Sequence, residues 1–204
     1  MISTTVRIAG SLGLAVLMAG CGSSPPNHFY RLTAAGASIG TEQQPSLGIG
    51  PIEIPEFLNR NAIVYSGGGN RLEVIGNERW AEPLGEGVQR VLGLNLAGLL
   101  DSENLSYFPW DARREPEYDI RVSVLDLDAE DGRATLVADW LLYRPGDGAT
   151  IAKRISSFSK PLPAGAVVAS DLPTSYSALL YELSATIADA IREEQDKHAD
   201  AKAQ

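Results

Sequence analysis

Tyr118, Ile120, Val122 and Val124 alternate with Asp119, Arg121 and Ser123, the period-two pattern of a strand with one buried face. The phase then slips. Leu125 and Leu127 are apolar while Asp126 and Asp128 are polar, so a bulge near Val124 and Leu125 is needed to keep one face in the core. Glu130-Asp131-Gly132 turns the chain into Ala134–Tyr143, and Arg144-Pro145-Gly146-Asp147-Gly148 turns it again into Ala149–Ser159. Three strands joined by tight turns pair as an antiparallel meander, and a sheet with one apolar face needs a second layer to cover it.

Two helical stripes supply that layer. In the stretch from Pro83 to Leu100, Val88, Val91, Leu92, Leu96 and Leu99 share one face. Gly85, Gly87, Gly93 and Gly98 each cost about 1 kcal/mol against alanine, so tertiary packing must hold this helix. From Asp171 to Arg192, Tyr176, Leu179, Leu180, Leu183, Ile187 and Ile191 make a longer stripe, with Ser170 or Asp171 as N-cap. Beyond Arg192 the stripe stops, and the helix is expected to fray into solvent. Upstream, strands are expected at His28–Thr33, Leu47–Ile54 and Leu105–Phe108, with a hairpin from Ala62–Ser66 and Arg71–Ile75 around Gly67-Gly68-Gly69-Asn70. Gly48 and Gly50 on one strand face imply close approach by another group. The fold class is α+β, an antiparallel β-sheet covered on one face by two α-helices, in a single domain over residues 28–195 with a polar tail at 196–204.

The N-terminal segment reads as an address. Arg7 precedes an apolar run from Ile8 to Ala19 of signal-peptide length, too short to span a bilayer as a helix. Leu17-Met18-Ala19-Gly20-Cys21 has the lipobox pattern of bacterial lipoprotein signals, with cleavage before Cys21 and acylation of that cysteine. Residues 1–20 are therefore the signal peptide, and residues 21–27, rich in Gly, Ser, Pro and Asn, a flexible tether. Two or three acyl chains give stable attachment where one alone is marginal. Gly22 is not the aspartate associated with inner-membrane retention, which points to the periplasmic face of the outer membrane.

Losing Arg7 makes a chain of formal net charge −9 more acidic still, which argues against nucleic acid as a partner. Cys21 is the sole cysteine, so the folded domain has no disulfide and no thiol nucleophile. No catalytic residue is assigned: the two histidines, His28 near the tether and His198 in the polar tail, are not placed to serve a serine nucleophile or a catalytic zinc. No metal site is assigned either. The cluster Asp126, Asp128, Glu130, Asp131 fails the EF-hand pattern, because Gly132 at loop position six puts Leu127 at position one. Gly67 to Gly69 lacks the helix and lysine of a phosphate loop. No cofactor is expected beyond the covalent lipid, palmitate or a similar chain, on Cys21.

Several segments together resemble one family: Phe29-Tyr30-Arg31-Leu32, Gly48-Ile49-Gly50-Pro51-Ile52 running on to Pro55-Glu56-Phe57-Leu58-Asn59-Arg60, Arg79-Trp80-Ala81-Glu82-Pro83-Leu84, Tyr107-Phe108-Pro109 and Leu136-Val137-Ala138-Asp139-Trp140. In order and spacing the chain is similar to the ABC-type transport auxiliary lipoproteins, PqiC-like. Phe57 stands where tyrosine is commoner, and Ile52 where valine is. The resemblance implies a non-enzymatic role: an outer-membrane accessory of an MCE-type intermembrane lipid transport system, docking a periplasmic MCE-domain protein, and a homo-oligomeric ring.

The candidate partner-binding residues are Phe108 and Trp110, in an aromatic loop, with Trp80 and Glu82. Tryptophan is enriched at interface hot spots, but Trp80 packing beneath the first helix is the competing reading, and Trp140 shares strand parity with core residues. Two other function classes make distinct demands on the structure. A lipid carrier needs an apolar groove inside the monomer, and a periplasmic hydrolase needs a cleft with converging polar side chains.

Overall fold

The computed structural model describes residues 25–35, 42, 45–111, 113–164 and 167–203. The elements in order are β1 (His28–Tyr30), β2 (Leu47–Glu53), β3 (Ala62–Ser66), β4 (Leu72–Trp80), α1 (Leu84–Leu100), β5 (Leu105–Tyr107), β6 (Tyr118–Glu130), β7 (Arg133–Arg144), β8 (Ala149–Pro161) and α2 (Leu172–Ala203). A single 3₁₀ turn, Ala169–Asp171, leads into α2. The strands form a five-stranded sheet in the order β5-β2-β6-β7-β8 and a three-stranded sheet in the order β1-β4-β3.

The α+β class and the helices on one side are as the sequence implies. The pairing is mixed, which corrects the expectation of one antiparallel sheet. β6, β7 and β8 form the antiparallel meander, but β2 runs parallel to both β5 and β6, and β1 runs parallel to β4. Parallel neighbours need long crossovers, and the β3–β4 hairpin and α1 provide the one between β2 and β5. Burial of Leu47, Gly48, Ile49 and Gly50 in succession is the mark of a strand covered on both faces.

The bulge falls where the phase slips. Val124 pairs with Ala138 and Asp126 with Val137, leaving Leu125 as the extra residue. Leu127 and Ala129 thereby rejoin Ile120 and Val122 in the core, while Leu125 is exposed. Val88, Val91, Leu92 and Leu96 of α1, which lies on β2, and Leu179, Leu180, Leu183, Ile187 and Ile191 of α2, which lies on β7 and β8, share one core with Leu136, Trp140 and Leu142, all fully buried. Trp140 donates its indole N–H to Ser156 Oγ at 2.9 Å, so its burial leaves no orphaned donor. Buried Asn95 on α1 accepts from Ala35 N–H and reaches Ser184 Oγ on α2, tying three segments with one amide.

Several boundaries differ from the pattern. β4 runs on through Trp80 because β1 pairs with Glu78 to Trp80. α2 continues to Ala203, past the end of its apolar stripe. Residues after Arg192 are rich in Glu, Lys, Gln and Ala, which have high helix propensity, and Arg144 on β7 pairs with Glu194 at 2.6 Å.

A candidate docking rim on the first helix

α1 presents a second stripe away from the core. Glu86, Gln89, Arg90 and Gly93 recur at spacings of three and four, and the last three each meet a group outside the helix. Gln89 donates through Nε2 to the carbonyl of Ile49 at 2.7 Å and to that of Phe108 at 3.4 Å, while Phe108 N–H donates to the same Ile49 oxygen at 3.0 Å. One carbonyl of β2 thus fixes both the helix and the aromatic residue that follows β5. Gly50 makes this possible: its φ is +107°, and a Cβ there would lie 2.7 Å from Gln89 Nε2 and 3.1 Å from Phe108 Cβ.

Tyr107 lies across Gly93, where a Cβ would come within 2.6 Å of the phenol oxygen. Burial raises the Tyr107 phenol pKa, with Arg90 opposing the shift. Arg90 forms a close ion pair with Glu82 and also donates to the carbonyl of Leu32 at 3.0 Å. The helix, the segment before it and the chain after β1 are fastened at a single guanidinium.

Glu82, Glu86, Gln89, Arg90, Tyr107 and Phe108 line an open depression of about 530 Å³. A second, of about 280 Å³, lies where Glu86, Gln89 and Phe108 meet Pro51, Ile52, Asn59 and Pro83. Phe108, 48% exposed, belongs to both, so it stands as an aromatic ridge between two shallow, half-polar hollows. Glu86, in the first turn of α1, adds negative charge beside it.

The structure brings Phe108 and Glu82 together. Trp110 meets Phe108 edge-on with centroids 5.6 Å apart, and its ring and Pro116 close over Gly48, so it supports the ridge from outside both hollows. Trp80 is elsewhere: it is 7% exposed and packs near Tyr176 of α2, with centroids 6.4 Å apart. Cys21 lies outside the described residues. The apolar stripe of α1 does not mark Gln89, Arg90 and Tyr107, although the polar stripe beside it carries the same period.

The acidic hairpin end is a structural device. Asp128 accepts from the backbone N–H of Ser66 at 2.6 Å and of Ala129 at 2.7 Å, joining the small sheet to β6. No group of three or more His, Cys, Asp or Glu able to hold a metal occurs among the described residues.

The model of the ABC-type transport auxiliary lipoprotein component matches residues 30–188, most of the chain. The chain belongs to this family. It is 25% identical over 139 residues to the intermembrane transport lipoprotein PqiC of Escherichia coli K12, a match covering 65% of this chain and 72% of that protein. In fold it is similar to a solved protein of Xanthomonas campestris, at 14% identity and a TM-score of 0.61 over 84% of this chain and 99% of the other. A solved uncharacterized protein gives 19% identity and a TM-score of 0.65 over 82% and 99%. The chain is therefore an auxiliary transport lipoprotein. Glu82, Gln89, Arg90, Tyr107 and Phe108 all lie inside the matched span.

Proposed function

We propose that this lipoprotein is the outer-membrane accessory of an MCE-type intermembrane lipid transport system, held by acyl chains on Cys21 and docking the periplasmic MCE-domain protein at the Phe108 rim. The role is binding without chemistry, and assembly into a homo-oligomeric ring belongs to the same reading. The supporting observation is the fixed, exposed Phe108, held by its own N–H and by Gln89 on one β2 carbonyl. An aromatic anchor already held in place loses little entropy on binding and has the character of a hot spot. The family and the likeness to PqiC of E. coli support the transport setting.

The test is recovery of an MCE-domain protein from detergent-solubilised membranes, with wild type, Cys21→Ala and Phe108→Ala as baits. Recovery with the first two and a loss of at least about tenfold with the third, matching a hot-spot side chain worth ~1.4 kcal/mol or more, is expected. Undiminished recovery by Phe108→Ala would remove the rim from the reading. Recovery with none of the baits, all folded, would refute MCE docking.

A further inference from the structure

The route by which the chain enters the domain singles out the three-stranded sheet. β1 begins at His28, seven positions after Cys21, so full extension places the sheet at most about 24 Å from that residue. The entry is fastened. His28 pairs with Glu78 at 2.9 Å, Arg79 donates to Asn27 at 3.2 Å, and Ala81 N–H donates to the carbonyl of Tyr30 at 2.7 Å. Leu32 is buried beyond it, and Thr33 N–H donates to Ser177 Oγ on α2, so the tether cannot lengthen without breaking these contacts.

This sheet leaves large apolar side chains in water. Phe29 is 64% exposed, Val74 50% and Leu72 45%. Its charge is also unlike that of the rest of the chain. Residues 25–33 and 60–81 carry four arginines, Arg31, Arg60, Arg71 and Arg79, against two glutamates, in a chain of formal net charge −9. Both glutamates are engaged, Glu73 with Arg71 at 3.1 Å and Glu78 with His28. The β3–β4 turn is uncharged up to Arg71, and among the described residues no atom comes within 4 Å of where a Cβ would stand on Gly68 or Gly69. Exposed apolar residues interleaved with arginines suit the interface of an anionic bilayer, where rings and aliphatic groups enter the headgroup layer and guanidinium groups meet phosphates.

We propose that the three-stranded sheet is the membrane-apposed face of the protein, resting on the phospholipid headgroups of the leaflet that holds the Cys21 anchor. Phe29, Leu72 and Val74 enter the headgroup layer, and the exposed Arg31 and Arg60 face lipid phosphates. The proposal rests on acylation of Cys21, the anchor in the reading above. The sheet then fixes how the domain stands on the membrane, a task that acyl chains at a single point cannot perform alone.

The test uses the acylated full chain in vesicles of phosphatidylethanolamine and phosphatidylglycerol containing a headgroup spin-labelled lipid. Acylation consumes Cys21, so a cysteine at Leu72→Cys or at the exposed control site Ile155→Cys on β8 is the only free thiol for a fluorophore. Quenching at position 72 at least about twofold stronger than at 155 is expected for a side chain in the headgroup layer. Equal quenching on vesicles that carry the acylated protein would overturn the sheet as contact face and leave the anchor standing. A chain that lacks the acyl mass on Cys21 and does not float with vesicles would overturn both.

Discussion

The two sheets use similar residues to opposite ends. In the five-stranded sheet, inward Ile120, Val122, Leu136, Trp140 and Leu142 are covered by two helices and lose essentially all contact with water. In the three-stranded sheet, Leu72 and Val74 alternate just as regularly, yet no helix among the described residues covers them and both stay about half exposed. Period-two alternation therefore reports that a strand has two unlike faces. Whether the apolar face becomes core depends on which element the topology lays over it.

The largest effect separating the two sheets is expected at Trp140, buried to 1% on β7, between β6 and β8 and beneath α2. Trp140→Ala should cost about 3–5 kcal/mol in chemical denaturation, through the cavity and the lost burial. A cost near 1 kcal/mol would mean that the helix layer collapses onto the gap and that the large core is softer than its packing implies.

A smaller effect is expected at Asp119, on the outer face of the large sheet. Its Oδ2 accepts from Arg121 Nη2 at 2.8 Å, while Oδ1 has no hydrogen-bond partner among the described residues. Burial raises the carboxyl pKa above the ordinary value, outweighing the Arg121 contact. The folded chain then holds this proton more tightly than the unfolded chain, so its contribution is full below the unfolded pKa and is lost as pH rises through the folded one. Urea midpoints measured from acid to neutral pH should fall less steeply with rising pH for Asp119→Asn than for wild type. Parallel curves would show that the site is not the source of that slope.

The smallest effect is expected in the small sheet, where Leu72→Ser should change stability by no more than about 0.5 kcal/mol, because the side chain already meets water. A loss above about 2 kcal/mol in the isolated domain would show that Leu72 contributes to the core, and would sharpen the contrast in the other direction.

Much of the candidate rim was legible in part. The sequence marks Phe108 with Trp110 as an aromatic loop, and Glu82 as a neighbour of Trp80. What joins them is not marked, because Gln89, Arg90 and Tyr107 acquire meaning only when β2 brings the Ile49 carbonyl beneath the helix. Trp80 is left by the sequence between an interface anchor and a residue packed beneath the first helix. Its burial follows from β1 docking beside Glu78–Trp80 and α2 bringing Tyr176 near, contacts far apart in sequence.

By itself the sequence determined whatever depends on near neighbours: the meander and its turns, the bulge between Val124 and Asp126, and the two amphipathic helices, because phase and period are local properties. Only the tertiary structure decided that β2 lies between β5 and β6, running parallel to both, and that Arg144 reaches Glu194 to add to the local helix propensity at the end of α2. It also decided that one apolar strand face is buried and the other is left to water. Strand order, parallel pairing and cover are set by which distant segments exclude water from one another, and no window of neighbouring residues encodes that choice.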